Sequence, residues 1–200
     1  MSMNVIWNNS LALPPKGFYC GYCEQPLTSA IGYYGSLRDQ DQVREYIYIC
    51  NHCSNPTFFS SEAKQTPAPV YGKRVNDIPF PEVESLYNEA RNCMTCNAYT
   101  ASALCSRKIL MKIAVSQGAK EGQNFNDYVE FISKKGFVHE GGKNWGDRIK
   151  TKGSEAPHEI TIKGKKDAEE LIDFIEMLLR FIYEFPAILK KEGLPGIKMP

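Results

Sequence analysis

Four of the seven cysteines fall into two C-x-x-C pairs, Cys20-Gly21-Tyr22-Cys23 and Cys50-Asn51-His52-Cys53. Two intervening residues let both thiolates of a pair reach one ion from a tight turn, and two such knuckles complete a tetrahedron. Four sulfurs leave no coordination position for water. The expected ion is therefore a structural zinc, one per chain, that stabilises a fold and activates nothing. Gly21 lets the first knuckle turn backbone N–H groups toward sulfur. His52 lies inside the second knuckle, but Cys20, Cys23, Cys50 and Cys53 already fill the sphere, so it is expected beside the site or exposed. The competing chemistry is a thioredoxin-type redox couple, which needs one pair in a βαβ setting that the flanking sequence does not offer.

The other three cysteines stand in helical sequence. Cys93 and Cys96 are three apart and Cys105 lies on the following helix. Three sulfurs there would bind a metal only with a fourth ligand, and none is evident, so they are expected as small buried hydrophobes.

A second group with chemical potential surrounds His158. Lys150 and Lys152 precede it in a segment marked by Gly153 and Pro157. Neighbouring cations favour neutral imidazole, the form a general base needs near pH 7. Metal-independent RNA cleavage requires a base for the 2′-hydroxyl and a cation for the developing phosphorane charge. His158 with Lys150 or Arg148 would supply both. The alternative is a structural histidine that hydrogen-bonds the turn after Gly153. Between Lys134 and Lys166 lysines and arginines outnumber Glu140, Asp147, Glu155 and Glu159, and Phe137 and Trp145 are interleaved. Lys143, Arg148, Lys150 and Lys152 are the candidate nucleic-acid contacts in this stretch, which reads equally as a solvated face. His139, just past Gly136, suits a helix C-terminus.

The elements that position these groups change character near residue 80. Residues 1–60 carry Gly, Pro, Asn, Ser and Tyr with short β-type runs. Tyr46-Ile47-Tyr48-Ile49 follows the turn-prone 38–42 segment, and Thr28 to Leu37 supplies a partner strand. Tyr22, Tyr33, Tyr34, Tyr46 and Tyr48 form either a stacking surface or the small core of a metal-stapled hairpin. Residues 61–81, with Pro67, Pro69, Pro79 and Pro81, read as a linker or crossing segment. Residues 82–192 are helical in period and 193–200 are a tail. Helices are predicted over 82–97, 99–117 with a cap near Thr100, 124–135, 144–152 and 165–191. The last is the most strongly patterned, with Ala168, Leu171, Ile172, Ile175, Leu178, Leu179 and Ile182 on one stripe. That stripe describes a core helix, or one that also forms a homodimer surface. No internal repeat or low-complexity tract stands out.

The 200 residues are 42% hydrophobic and 24% charged, with a net charge of +1. A real core is therefore expected and wholesale disorder excluded, while any affinity for polyanions must come from a local patch. No run has the ~18–20 apolar residues of a membrane span. Met1 to Asn9 does not read as a secretory signal, so the expected setting is cytoplasmic, with reduced thiols.

Three stretches carry a family resemblance: Glu89 to Leu110 (EARNCMTCNAYTASALCSRKIL), Trp145 to Ile160 (WGDRIKTKGSEAPHEI) and Asp167 to Ala187 (DAEELIDFIEMLLRFIYEFPA). Together they resemble the family called Domain of Unknown Function 4145, including its members' zinc-ribbon-like leading segment. In that family the middle stretch reads Arg-x-x-Gly-Asn-x-x-x-His. Here Lys150 stands at the Arg, Gly153 at the Gly, Ser154 at the Asn and His158 at the His, so two of the four positions depart. The family is similar to the all-helical HEPN superfamily, whose nuclease members cleave RNA with an Arg and a His, while others bind or dimerise. The resemblance implies an α+β chain, an N-terminal β-hairpin zinc ribbon followed by an all-α HEPN-like bundle. It also implies a nucleic-acid-associated binding or adaptor role, with RNA or DNA and a phage-defence protein as partners and no membrane. The alternatives are an endoribonuclease using His158 and a protein-interaction scaffold.

Overall fold

The computed structural model describes residues 5–10, 12–37, 40–138, 143–153 and 161–193. The fold is α+β and divides into two compact units, Met1–Val70 and Tyr71–Pro200, the first built of antiparallel strands and the second of helices.

In the first unit β1 (Val5–Ser10), β4 (Gly32–Leu37), β5 (Gln40–Ile49), β6 (Pro56–Phe59) and β7 (Gln65–Thr66) form one sheet in the order β1-β4-β5-β6-β7. The strands β2 (Lys16–Tyr19) and β3 (Pro26–Ser29) form a separate hairpin. The expected β4–β5 pairing is present, with Tyr34 opposite Tyr46 and Gly32 opposite Tyr48. The strand predicted from Thr28 is broken, however. The chain leaves one sheet at Ser29 and enters the other at Gly32. Buried Ser29 serves this corner: its hydroxyl donates to the Ile49 carbonyl at 2.8 Å and accepts from the Ile31 amide at 3.3 Å. A strand that switches sheets would otherwise leave such groups unpaired.

Among the described residues the core of this unit is a small aromatic cluster. Leu13, Phe18, Tyr48 and Phe59 are buried, with Leu27, Tyr34 and Tyr46 packed against them. Phe18 meets Phe59 edge-on at 5.3 Å between centroids, as does Tyr48 at 5.7 Å, a favoured aromatic geometry. The Tyr48 hydroxyl donates to the Pro14 carbonyl at 2.9 Å. The tyrosines divide by burial. Tyr34, Tyr46 and Tyr48 belong to the core, whereas Tyr22 and Tyr33 are exposed.

Gly32 lies at a close approach of two strands. A Cβ there would lie 1.8 Å from the Ile47 carbonyl oxygen, so any side chain must push β4 off β5. Gly32→Ala is expected to destabilise this unit by about 2–3 kcal/mol, read as a lowered urea midpoint for the strand amides. An unchanged midpoint would refute the close approach.

The second unit contains α1 (Pro81–Thr95), α2 (Tyr99–Ser116), α3 (Phe125–Lys134), α4 (Lys143–Gly153), α5 (Lys165–Leu179) and α6 (Phe185–Lys191). Helix α1 pairs with α2, α3 pairs with α4, and α5 packs on α2. Leu171, Ile172, Phe174, Ile175, Leu178 and Leu179 of α5 are fully buried, as the stripe predicts for a core helix. Asn124 caps α3, its Oδ1 accepting from the Asp127 amide at 3.0 Å. The cap expected near Thr100 does not form. Ala98 occupies the N-cap of α2, and the Thr100 hydroxyl instead accepts from the Lys163 amide at 3.0 Å.

The predicted 165–191 helix is interrupted by a π turn at Arg180–Glu184. Pro186 has no N–H to give the Ile182 carbonyl, and the Phe185 amide bonds back to the Arg180 carbonyl. The turn places Glu184 in the interior, ion-paired with Arg180 and accepting from both the backbone and side-chain N–H of Asn76 at 2.8 and 3.0 Å. The segment leading into α1 is thereby fastened to the helices.

Candidate metal centre

The two knuckles are copies of one structure, which corrects the expectation of no internal repeat. Each is the turn of its own hairpin, β2–β3 and β5–β6, and each reads C-x-x-C-x-x-P, CGYCEQP and CNHCSNP. The Cys20 amide donates to the Gln25 carbonyl and the Cys50 amide to the Asn55 carbonyl, both at 3.0 Å. The Glu24 amide returns to the Cys20 carbonyl at 3.0 Å, and the Ser54 amide to the Cys50 carbonyl at 2.9 Å. Glu24 and Ser54 adopt left-handed φ values of 65° and 59°. These turns aim the Tyr22 and His52 amides at the Cys20 and Cys50 sulfurs, each at 3.4 Å. Gly21 is required for a reason the sequence does not disclose. A Cβ there would meet the Ala68 carbonyl at 2.5 Å and the Pro67 carbonyl at 2.9 Å.

The knuckles bring all four sulfurs within 4.8 Å of one another. Cys20 Sγ lies 3.7 Å from Cys53 Sγ, and Cys23 Sγ 3.8 Å from Cys50 Sγ. A tetrahedron with metal–sulfur bonds of ~2.3 Å has edges of about 3.8 Å, so the spacing suits a bound ion. Electrostatics argue the same way. Burial, and then the neighbouring sulfurs, push the Cys23 thiol up to about 12. Burial opposes ionisation of Cys53 as well, but hydrogen bonds from the Asn55 backbone and side chain bring it down to about 6. A cation at the centre of the cluster would offset the burial that opposes ionisation of Cys23. His52 is exposed beside the site.

Among the described residues this is the one group of histidine, cysteine or acidic side chains arranged to hold a metal. Cys93 and Cys105 are half-buried, where burial raises both thiols, but Cys96 is exposed. The expectation of three buried cysteines fails at Cys96 because α1 ends at Thr95. Asn97 then takes a left-handed φ of 62°, and the Cys96 thiol turns back to the Cys93 carbonyl at 3.4 Å.

His158 and His139 lie outside the described residues, as do the side chains of Lys143 and Lys152, whose backbone belongs to α4. Four of the described cations face acids. Arg148 is paired with Glu170 of α5, Lys150 lies 3.8 Å from Asp147, Lys134 2.6 Å from Glu130 and Lys165 3.7 Å from Glu169. The hydrogen bond from Lys134 holds the Glu130 carboxyl below its usual range, with help from the charge of Lys150.

No helix among the described residues is long and apolar enough to cross a membrane. No curated protein and no solved structure matches the chain. A family model described as a domain of unknown function, DUF4145, matches residues 88–193, just over half the chain and entirely within the helical unit. The chain therefore belongs to the DUF4145 family, carrying its helical domain behind a four-cysteine β unit.

Proposed function

We propose that Cys20, Cys23, Cys50 and Cys53 hold one structural zinc ion per chain, and that the chain is a binding or adaptor module acting at nucleic acid. The four-sulfur cluster carries this reading. Its donor set is soft and closed, suited to zinc and unsuited to the hard cations of hydrolytic or phosphoryl-transfer sites. The metal would hold two hairpin turns together, and the unit it braces presents Tyr19, Tyr22, Ile31 and Tyr33 to solvent. Exposed aromatic rings offer bases a stacking surface without demanding a sequence. The HEPN-like helical unit would dimerise and join the ribbon to a protein partner in phage defence. Exposed Phe185 and Ile188 of α6 are apolar groups that a second copy would cover.

The test is fluorescence anisotropy with single-stranded RNA and DNA oligonucleotides on zinc-loaded protein. Binding should weaken about tenfold between about 50 and 200 mM salt, as a few phosphate contacts require. Loss of binding in a Tyr22→Ala/Tyr33→Ala double variant would locate the surface. Absence of any salt-dependent binding favours the protein-interaction scaffold, a reading supported by the acids that neutralise Lys134, Arg148, Lys150 and Lys165. RNA cleavage that survives EDTA and disappears in His158→Ala would replace both with the endoribonuclease. That reading draws its cation from Lys150, whose acidic neighbour Asp147 lies at 3.8 Å, or from Arg148, which is paired with Glu170.

A further inference from the structure

The two knuckles repeat each other closely, and the side chain two residues after the second cysteine distinguishes them. In the second knuckle the Asn55 side-chain amide donates to Cys53, to Sγ and to the carbonyl oxygen, each at 3.4 Å. The equivalent residue of the first knuckle is Gln25, one methylene longer and exposed, and it brings Cys23 only its backbone amide. Burial separates the ligands further. Cys20 and Cys50 are 0% and 1% exposed, out of reach of a reagent in solution, whereas Cys23 and Cys53 are both partly accessible. Exposure leaves two candidate nucleophiles, and hydrogen bonding distinguishes them. A donor directed at a metal-bound thiolate draws off electron density and lowers its nucleophilicity.

We propose that Cys23 is the ligand through which soft carbon electrophiles open the metal centre, and that Asn55 shields its counterpart, Cys53. This rests on the zinc reading above. In the step itself, a lone pair of Cys23 Sγ attacks the electrophilic carbon. With iodoacetamide the S–C bond forms as the C–I bond breaks, and iodide leaves with the bonding electrons. The product is a neutral thioether, a poor ligand, so the ion keeps three thiolates and passes to a chelator.

Full-length protein carrying one zinc per chain is treated with limiting iodoacetamide beside a chromogenic chelator, and the alkylated cysteines are mapped by mass spectrometry. Cys23 should react about tenfold faster than Cys53, with zinc released in step. Exposed Cys96 provides the internal control, since its alkylation should release no zinc. Asn55→Ala should bring the two rates to within about twofold by removing one hydrogen bond to a charged sulfur. Gln25→Asn, a change at an exposed position that leaves the fold intact, should narrow the gap from the other side by slowing Cys23. Protein that binds no zinc overturns the metal reading and this inference together. Zinc-loaded protein alkylated first at Cys53, or at both cysteines equally, overturns this inference alone, as does a Cys23:Cys53 ratio unmoved in Gln25→Asn.

Discussion

Removing the metal, or replacing Cys50 by serine, is expected to unfold the first unit. Among its described residues the buried apolar cluster is Leu13, Phe18, Tyr48 and Phe59, a small core of the kind that a bound metal reinforces. Two of its hairpins, β2–β3 and β5–β6, are closed by the knuckle turns themselves. The sulfurs converge to 3.7 and 3.8 Å across the two knuckles, so one ion would fix both turns in their mutual register. Binding energy at such a site is folding energy, about 10 kcal/mol or more at neutral pH. Cys50→Ser in addition places a hydroxyl at a position 1% exposed to solvent. Hydrogen exchange under reducing conditions is the measurement. On chelation the amides of β2, β3, β5 and β6 should lose their protection by several orders of magnitude. Helices α1, α2 and α5, whose core includes none of the four sulfurs, provide the reference within the same sample. Undiminished protection in β5 and β6 after zinc is gone and the thiols are kept reduced would sink the structural role.

The four-cysteine cluster was legible in the sequence because it depends on spacing alone: two C-x-x-C pairs need only a turn between their cysteines. The helices were legible too, from apolar period and caps, with α1, α2 and α3 ending within two residues of expectation. What escaped shares a physical cause. The β2–β3 hairpin is four residues per strand and alternates over too short a run for period to register. Its signal was the repeated C-x-x-C-x-x-P, visible only when the two knuckles are laid against each other. Ser29 breaks a strand because it serves Ile49 and Ile31 across a corner, contacts remote from it in sequence or fixed by tertiary position. The π turn was announced by Pro186 within an otherwise periodic stripe, a local conflict that an apolar period conceals. Cys96 shares a face with Cys93 only while the helix continues, and it stops one residue short. The donor that sets Cys53 apart from Cys23 is an Asn in place of a Gln, a one-methylene difference whose meaning depends on distance.

Replacement of Arg91 is expected to be the most damaging single change in the helical unit. Arg91 is 1% exposed and, among the described residues, the largest of the fully buried side chains. Its Nε donates to the Tyr71 carbonyl at 3.1 Å, Nη2 to the Gly72 carbonyl at 3.0 Å and Nη1 to Asn88 Oδ1 at 3.3 Å, while the guanidinium lies 5.7 Å from the Tyr87 ring centre. The carbonyls it serves belong to a segment without helix or strand, held besides by the Lys73 amide on Glu176 at 2.8 Å and the Tyr87 hydroxyl on the Lys73 carbonyl at 2.9 Å. Irregular backbone can be held against a helical core only if its polar groups find partners there, and one planar fork supplies two of them. Arg91→Met keeps much of the apolar stem and leaves both carbonyls unserved, at ~1–3 kcal/mol each, for a total of about 3–5 kcal/mol. The midpoint of thermal unfolding should fall by about 10 °C or more, with exchange accelerated first at residues 71–77. Arg91→Lys should recover only part of the loss, because an ammonium lacks the planar geometry to reach both carbonyls and Asn88 at once. A Lys variant as stable as the parent would show that charge alone suffices, and a Met variant as stable as the parent would remove the fork from the argument altogether.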